Sequence, residues 1–255
     1  MPRVNKEEIR MVYMGSKNRL AKYLVPIIQS YITEDTRGYL EPFVGGANMI
    51  DKIQCNNKIG CDIHKQLIAL LNKAKDDSES LPTNITKEEY EDVKNNRESY
   101  EDWYVGLVGF CATFSGKYFQ GYAKANDKRN RQLEMINNLK KQSPNLKNIE
   151  FKCCDFLDLP KENIKGYVIY CDPPYKTNAK YGHTKPFPYE EFYEWCKEMS
   201  KNNVVLISEY NMPNEFTCIW EKETRVSFNS IKNSSEENKN RIERLYTYRS
   251  RWFWS

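Results

Sequence analysis

Short, strongly apolar segments alternate along the chain with segments of helical periodicity. Residues 203–209 contain an uninterrupted apolar run, which is typical of a strand buried on both faces of a parallel sheet. Residues 189–200 place their large apolar side chains three and four positions apart, which predicts an amphipathic helix. The pattern predicts central strands at 39–43, 58–61, 149–154, 167–171 and 203–209, and helices at 65–75, at 189–200 and from about residue 47. This alternation indicates an α/β fold with a parallel sheet.

Two parts of the chain depart from the alternation. Residues 76–148 have the pattern of helices and polar loops with no strand series, which predicts an inserted second domain. Residues 1–75 and 149–255 would then form the main domain. Near the end of the chain, strand-like runs at 217–220 and 245–248 flank a polar segment at 229–240. These runs predict a terminal antiparallel hairpin with a long tip.

Composition narrows the class of protein. Of the 255 residues, 40% are hydrophobic and 29% are charged, which is typical of a globular protein rather than a disordered one. No apolar run approaches the ~20 residues that cross a bilayer, and residues 1–10 lack the apolar core of a signal peptide. Eight cysteines with no Cys-x-x-Cys spacing fit neither a disulfide scaffold nor a zinc site. We therefore expect a cytoplasmic protein with reduced thiols, no bound metal and no membrane contact.

The charges are unevenly distributed, although the net charge is only +4. Residues 76–102 hold ten acidic residues against three basic ones, whereas residues 117–150 hold eight basic residues against three acidic ones. The basic segment is interleaved with the aromatic residues Tyr118, Phe119 and Tyr122. Such a segment is typical of a nucleic-acid phosphate contact, and an ordinary solvated helix surface is the alternative.

Candidate chemistry follows three of the predicted strands, where ligands bind in open α/β sheets. The first site is the run Glu41-Pro42-Phe43-Val44-Gly45-Gly46, whose glycines let the backbone approach a ligand closely. The second is Asp62, at the end of the next strand. Asp62 lies 17 residues after Gly45. An acid at about this distance from a glycine turn either accepts hydrogen bonds from the hydroxyls of a ribose or caps the following helix.

The third strand end is Asp172-Pro173-Pro174-Tyr175. Each of these residues has a chemical function if the substrate is a planar amine such as adenine. The amino nitrogen of adenine is a poor nucleophile because its lone pair is delocalised into the ring. The Asp172 carboxylate and the Pro173 carbonyl are two acceptors that would bind its two N–H groups and favour a pyramidal nitrogen. The prolines fix the backbone and remove competing donors, and Tyr175 offers a stacking face. A simple Pro-Pro turn is the alternative.

These motifs resemble those of the adenine-N6 DNA methyltransferases, and more narrowly the Dam-like group of the D12 class. A third match is Tyr13-Met14-Gly15-Ser16-Lys17 with Leu20 following, which is similar to the N-terminal cofactor motif of that group. The order of the motifs also fits, with a variable DNA-reading insert before the last one. The resemblance implies a Rossmann-like class I methyltransferase sheet, a mostly helical target-recognition insert at 76–148 and a C-terminal β-hairpin.

The resemblance also implies a cofactor, S-adenosylmethionine, and a set of residues. The catalytic residues would be Asp172, Pro173, Pro174 and Tyr175. The residues at the cofactor would be Tyr13, Lys17, Glu41, Phe43, Gly45, Gly46, Asp62, Asp155 and Asp172. His64 and His183 match no catalytic or metal-binding pattern.

The implied substrate is double-stranded DNA, from which the target adenine is rotated into the site. GATC is the commonest target of the family, the sequence itself leaves the recognition site open, and restriction–modification is one role of such enzymes. We expect no obligate protein partner. The expected DNA contacts are Lys117, Tyr118, Gln120, Lys128, Arg129, Asn130 and Arg131.

Three alternatives stay open at this point. Methyltransferases that act on cytosine N4 usually carry Ser at the position of Asp172, and those that act on a protein glutamine typically carry Asn. A catalytically inactive DNA-binding relative is the third alternative. The motif residues are all intact, which favours an active adenine enzyme.

Overall fold

A seven-stranded sheet forms the centre of the molecule. The computed structural model describes residues 11, 13, 15–124, 129–174, 187–225 and 240–248. The strands are β1 (Gly38–Glu41), β2 (Lys58–Asp62), β3 (Ile149–Cys153), β4 (Tyr167–Cys171), β5 (Val204–Glu209), β6 (Thr217–Arg225) and β7 (Asn240–Thr247). The predicted central strands are therefore confirmed.

The sheet has the order β3-β2-β1-β4-β5-β7-β6. The strands β1 to β5 are parallel, β7 is antiparallel to β5, and β6 is antiparallel to β7. The order of the first five strands is that of a doubly wound nucleotide-binding sheet. This topology confirms the predicted α/β class. Most of the polar segment predicted at the tip of the last two strands lies outside the described residues.

Six α-helices accompany the sheet in the described part of the chain: α1 (Asn18–Ser30), α2 (Lys65–Asp77), α3 (Lys87–Asn95), α4 (Asp102–Cys111), α5 (Arg131–Leu146) and α6 (Tyr189–Met199). Helix α6 buries Phe192, Trp195 and Met199 on one face, as its periodicity predicts. Helix α3 begins with a capping box between Thr86 and Glu89. Within the described ranges, no helix is long and apolar enough to cross a lipid bilayer.

The prediction of a helix from about residue 47 is wrong. The connection from β1 to β2 contains only turns and one short 3₁₀ segment, Ile50–Lys52. Ala47 has a left-handed backbone with φ of 56°, which a helix does not accommodate. Buried polar contacts hold this connection, since the Val44 amide donates to the Cys61 carbonyl at 2.7 Å and the Asn48 amide group donates to the Met11 carbonyl at 3.1 Å. These long-range contacts override the local helical pattern.

Apolar side chains pack on both faces of the sheet. Tyr39 and Leu40 are neighbours on β1 and belong to different buried clusters, because successive side chains of a strand point to opposite faces. The cluster around Tyr39 includes residues of α1, α2, α4 and α5, and the cluster around Leu40 includes those of α6. The helices of residues 76–148 thus share a core with α2, and the predicted domain boundaries remain a prediction.

Gly106 marks the closest approach between α4 and α2. A Cβ atom at this residue would lie 2.2 Å from the Gln66 carbonyl oxygen, which is backbone and has little room to move. Gly106→Ala is therefore expected to lower the free energy of unfolding by about 1–3 kcal/mol, although Ala is intrinsically the better helix former. Chemical denaturation measures this change.

Gly109, one turn further along α4, provides the matched control. A Cβ atom there would meet the Tyr118 ring at 2.5 Å, and a ring can shift where a backbone carbonyl cannot. Gly109→Ala should cost less stability than Gly106→Ala. A Gly106→Ala protein as stable as the wild type would contradict the packing described here.

Candidate active site

The strand order reverses between β1 and β4, which leaves a crevice at their carboxyl ends. Glu41 is the last residue of β1, and Asp172 directly follows β4. Asp62 ends the neighbouring strand β2. Because these strands are parallel, their carboxyl ends bring the three acidic residues to one edge of the sheet.

An ion pair joins the N-terminal segment to this edge. Lys17 Nζ lies 2.8 Å from Asp172 Oδ1, and the side chains are only 7% and 20% exposed. Burial alone would lower the pKa of Lys17, but the nearby Asp172 and Glu243 carboxylates outweigh burial and keep that pKa above its usual value. Burial raises the pKa of Asp172, and Lys17 opposes part of that rise. Lys17 is therefore a charged partner that favours the ionised form of Asp172.

Tyr13 lies against the glycine turn that follows β1. Gly45 has φ of 48°, and a Cβ atom there would lie 2.9 Å from the Tyr13 ring. A Cβ atom at Gly46 would lie 2.9 Å from Tyr13 Cβ. Both positions therefore require glycine, the first for its backbone conformation as well as for space.

Asp62 holds the same turn from the other side. Its Oδ2 accepts a hydrogen bond from the Gly45 amide at 3.1 Å, and its Oδ1 accepts one from the His64 amide at 2.9 Å. The helix-cap alternative for Asp62 is wrong, because the residue that caps α2 is His64, whose Nδ1 accepts from the Leu67 amide. The glycine turn is thus fixed between Tyr13 and the end of β2.

Glu41 is buried at the end of β1. Its Oε1 accepts a hydrogen bond from the Tyr39 hydroxyl at 2.7 Å. Burial raises the pKa of Glu41 to about 8, against the opposing effect of the Tyr39 hydrogen bond. Asp51 and Asp172 raise this pKa further by charge repulsion. A positively charged ligand at this edge would lower the pKa of Glu41 and favour its ionised form.

The family model of the D12 class N6 adenine-specific DNA methyltransferases matches residues 13–104 and 104–237. The chain belongs to this family. The matched ranges contain all three motifs on which the resemblance was based, and the predicted enzyme class is confirmed. A comparison with curated proteins gives no match.

The prolines of the methyltransferase motif are held by α6. The Tyr189 hydroxyl donates a hydrogen bond to the Pro174 carbonyl. Tyr189 is the first residue of α6, so the start of that helix fixes the backbone just after Asp172. Tyr175, predicted as the stacking residue, lies outside the described residues, as does His183.

Phe43 and Asp155 have structural contacts of their own. The Phe43 ring lies 5.4 Å from the Phe156 ring and 5.6 Å from the Phe192 ring, measured between centroids. The Asp155 carboxylate accepts a hydrogen bond from the Leu157 amide at 3.0 Å and so caps a short 3₁₀ turn. Their contact with a cofactor remains a prediction.

Gln142 of α5 is a residue that the sequence analysis missed. Its side chain is 1% exposed, and its amide nitrogen donates to the carbonyls of Gly46 and Ala47 at 3.2 and 3.1 Å. Its oxygen accepts from the Met11 amide at 3.2 Å. Gln142 therefore connects the glycine turn to the helical segment 76–148. No local sequence signal marks this glutamine.

Three of the predicted DNA-contact residues have partners within the protein. The Tyr118 ring packs 4.4 Å from the His64 ring, Asn130 caps α5, and Arg129 pairs with Glu134 at 2.7 Å. The remaining described side chains are the exposed Gln120 and Arg131 and the half-buried Lys117, whereas Lys128 lies outside the described residues. Over the described part of the chain, no three His, Cys, Asp or Glu side chains form a group that could hold a metal ion.

Glu41→Gln tests the buried carboxyl. In the folded protein the pKa of Glu41 is about 8, above its ordinary value, so the folded state holds the proton more tightly than the unfolded state. The wild type should therefore lose stability relative to Glu41→Gln as the pH rises from about 5 to about 9, by roughly 1–4 kcal/mol. Denaturation of both proteins across this range measures the difference.

Glu79→Gln serves as the control, because the Glu79 side chain is 89% exposed. This substitution should leave the pH dependence of stability unchanged. A stability difference between wild type and Glu41→Gln that does not vary with pH would contradict the burial of an acidic proton at Glu41.

Proposed function

We propose that this methyltransferase transfers the methyl group of S-adenosylmethionine to N6 of an adenine extruded from a specific double-stranded DNA sequence. The observation that carries the proposal is the ion pair between Lys17 and Asp172 beside the Pro173 backbone. It holds a carboxylate acceptor at the sheet edge where ligands of such folds bind.

The residues at this edge fit the cofactor. S-adenosylmethionine supplies an electrophilic methyl group on a positively charged sulfonium. Asp62 and Asp172 would attract its positive groups, a bound cation would favour the ionised form of Glu41, and Gly45 presents its backbone without a Cβ atom. The residues that would hold the cofactor are Tyr13, Lys17, Glu41, Phe43, Gly45, Gly46, Asp62, Asp155 and Asp172.

Asp172 and Pro173 would orient the amino group of the adenine. The carboxylate and the Pro173 carbonyl accept the two N–H groups, so the nitrogen lone pair is directed at the methyl group. Lys17 keeps Asp172 in the ionised form that accepts a hydrogen bond. Neither proline has an N–H that would compete with the substrate.

The DNA substrate must release its target base, because N6 is not accessible within the stacked duplex. Tyr175 would then stack on the extruded adenine. Basic side chains of the segment 117–131 would contact the phosphate backbone around it. GATC is the recognition sequence proposed from the family, and the cytoplasm of a bacterial or phage-infected cell is the proposed location.

Identification of the modified nucleoside tests this proposal. The protein is incubated with labelled S-adenosylmethionine and double-stranded DNA, and the digested nucleosides are separated and identified. We expect label in N6-methyladenine. Label in N4-methylcytosine, label in protein, or no transfer would each overturn the proposed substrate.

Asp172→Ala should abolish methylation, because N6 loses the anionic one of its two hydrogen-bond acceptors. We expect the rate to fall at least about 100-fold, with binding of S-adenosylmethionine weakened but retained. Asp76→Ala is the matched control, because the Asp76 side chain is 70% exposed near the end of α2. Normal activity of Asp172→Ala would contradict the assigned role.

Neutralising Lys128, Arg129 and Arg131 together should weaken DNA binding and flatten its dependence on salt. The slope of log K against log salt should become shallower by about 1 for each residue that contacts a phosphate. A control protein with Lys161, Lys165 and Lys201 changed to Gln has the same change in charge outside the segment. Equal slopes for the two variants would count against this DNA surface.

A further inference from the structure

Glu209 is a buried acid near Asp172 and Pro173, and it has no role in the reaction proposed above. It is the last residue of β5, which pairs in parallel with β4, and its side chain is 4% exposed. The register pairs Cys171 with Ile207. Glu209 therefore follows the last registered pair by two residues, as Pro173 does on the neighbouring strand.

Within the described part of the chain, one oxygen of this carboxyl group has no hydrogen-bond partner. Oε1 accepts from the Tyr210 amide at 2.7 Å, whereas Oε2 is buried and unpartnered among the described residues. A buried acceptor without a partner destabilises a fold, and such groups are rare in native proteins. A ligand that brings a donor to Oε2 would satisfy it.

Charged groups on several neighbouring elements lie around Glu209, and Arg244, its register partner on β7, bonds to Glu221 and to the Tyr210 carbonyl. Asp172 follows β4, Lys17 precedes α1, and Glu243 lies on β7. Tyr189 and Tyr193 of α6 also interact electrostatically with Glu209. Burial raises the pKa of Glu209 to about 7, and the Asp172 and Glu243 carboxylates add to the rise against the opposing effect of Lys17. Glu209 is thus an acid that exchanges a proton near neutral pH.

We propose that Glu209 is a further catalytic residue, whose free Oε2 takes up the proton that N6 of the adenine loses on methylation. The inference rests on the methyl transfer proposed above. The bond between N6 and the methyl carbon forms, and the bond from sulfur to that carbon breaks with its electron pair remaining on sulfur. The N–H bond on the side of the Pro173 carbonyl then gives its electron pair back to nitrogen, and that proton passes to Oε2 of Glu209, which is level with Pro173 in the register.

Asp172 is poorly placed for this second task. Protonation of Asp172 would remove its ion pair with Lys17 at 2.8 Å and weaken the charge compensation of a buried ammonium group, to which Glu243 also contributes. Glu209 has no ion pair within 4.0 Å among the described residues, and it has an oxygen that lacks a donor. The two acids therefore divide the work, since one binds the amino group and the other receives its proton.

Glu209→Gln separates proton uptake from shape, because glutamine keeps the size and the acceptor oxygen but cannot take the proton. The measurement is the single-turnover rate of adenine methylation from pH 5.5 to 8.5. The wild-type rate should rise with pH through about 7, as Glu209 loses its proton and becomes a base. We expect Glu209→Gln to be about 10- to 100-fold slower at pH 8 and to lack this rise, with unchanged binding of S-adenosylmethionine.

Two further variants guard against a structural explanation. Glu209→Asp keeps a base with a shorter reach, and it should retain the rise with pH at a reduced rate. Ser208→Ala removes only the hydroxyl that bonds to the Tyr170 hydroxyl at 2.8 Å, and it should retain the wild-type pH profile. A readout without substrate completes the set: the stability of the wild type relative to Glu209→Gln should fall as the pH rises to about 7 and then level off.

The outcomes are distinct. A wild-type rate and pH profile in Glu209→Gln, or a slow Glu209→Gln that keeps the rise with pH, would overturn the assignment of Glu209. Absence of N6-methyladenine in the wild-type reaction would instead overturn the proposed function itself.

Discussion

The buried ion pair between Lys17 and Asp172 is the contact on which the rest of the active site depends. Removal of one partner would take away the closest opposite charge of the other buried group, which is destabilising. The pair fixes the segment before α1 against the end of β4. That segment also carries Tyr13, whose ring covers the glycine turn after β1. The ion pair therefore positions the N-terminal motif against the motif that begins at Asp172. Tyr13, which belongs to the N-terminal motif, also contacts the glycine turn, which is the third motif.

The glycine turn connects this edge of the sheet to the helical segment 76–148. Asp62 holds the turn from β2, and Gln142 holds it from α5 through the carbonyls of Gly46 and Ala47. Helix α5 begins directly after Asn130, in the basic segment proposed to contact DNA. Gln142 thus connects the part proposed to bind the cofactor to the part proposed to bind DNA. A displacement of α5 would therefore move the glycine turn.

The sequence was informative where the physical signal is local. Apolar runs such as 203–209 predicted the parallel strands, and short motifs predicted that Lys17, Glu41, Gly45 and Asp172 would lie together. Contacts between residues far apart in the chain were not predictable in this way. The residues after Ala47 have a helical pattern but are held by distant backbone groups, and Gln142 and Glu209 are single polar residues whose burial follows only from the packed structure.

A double-mutant cycle on Lys17 and Asp172 tests the central claim most directly. The free energies of unfolding of Lys17→Met, Asp172→Asn and the double variant are compared with that of the wild type. We expect a coupling of about 1–3 kcal/mol, since each single variant removes one half of the buried ion pair. Strictly additive effects, with no coupling beyond experimental error, would contradict it.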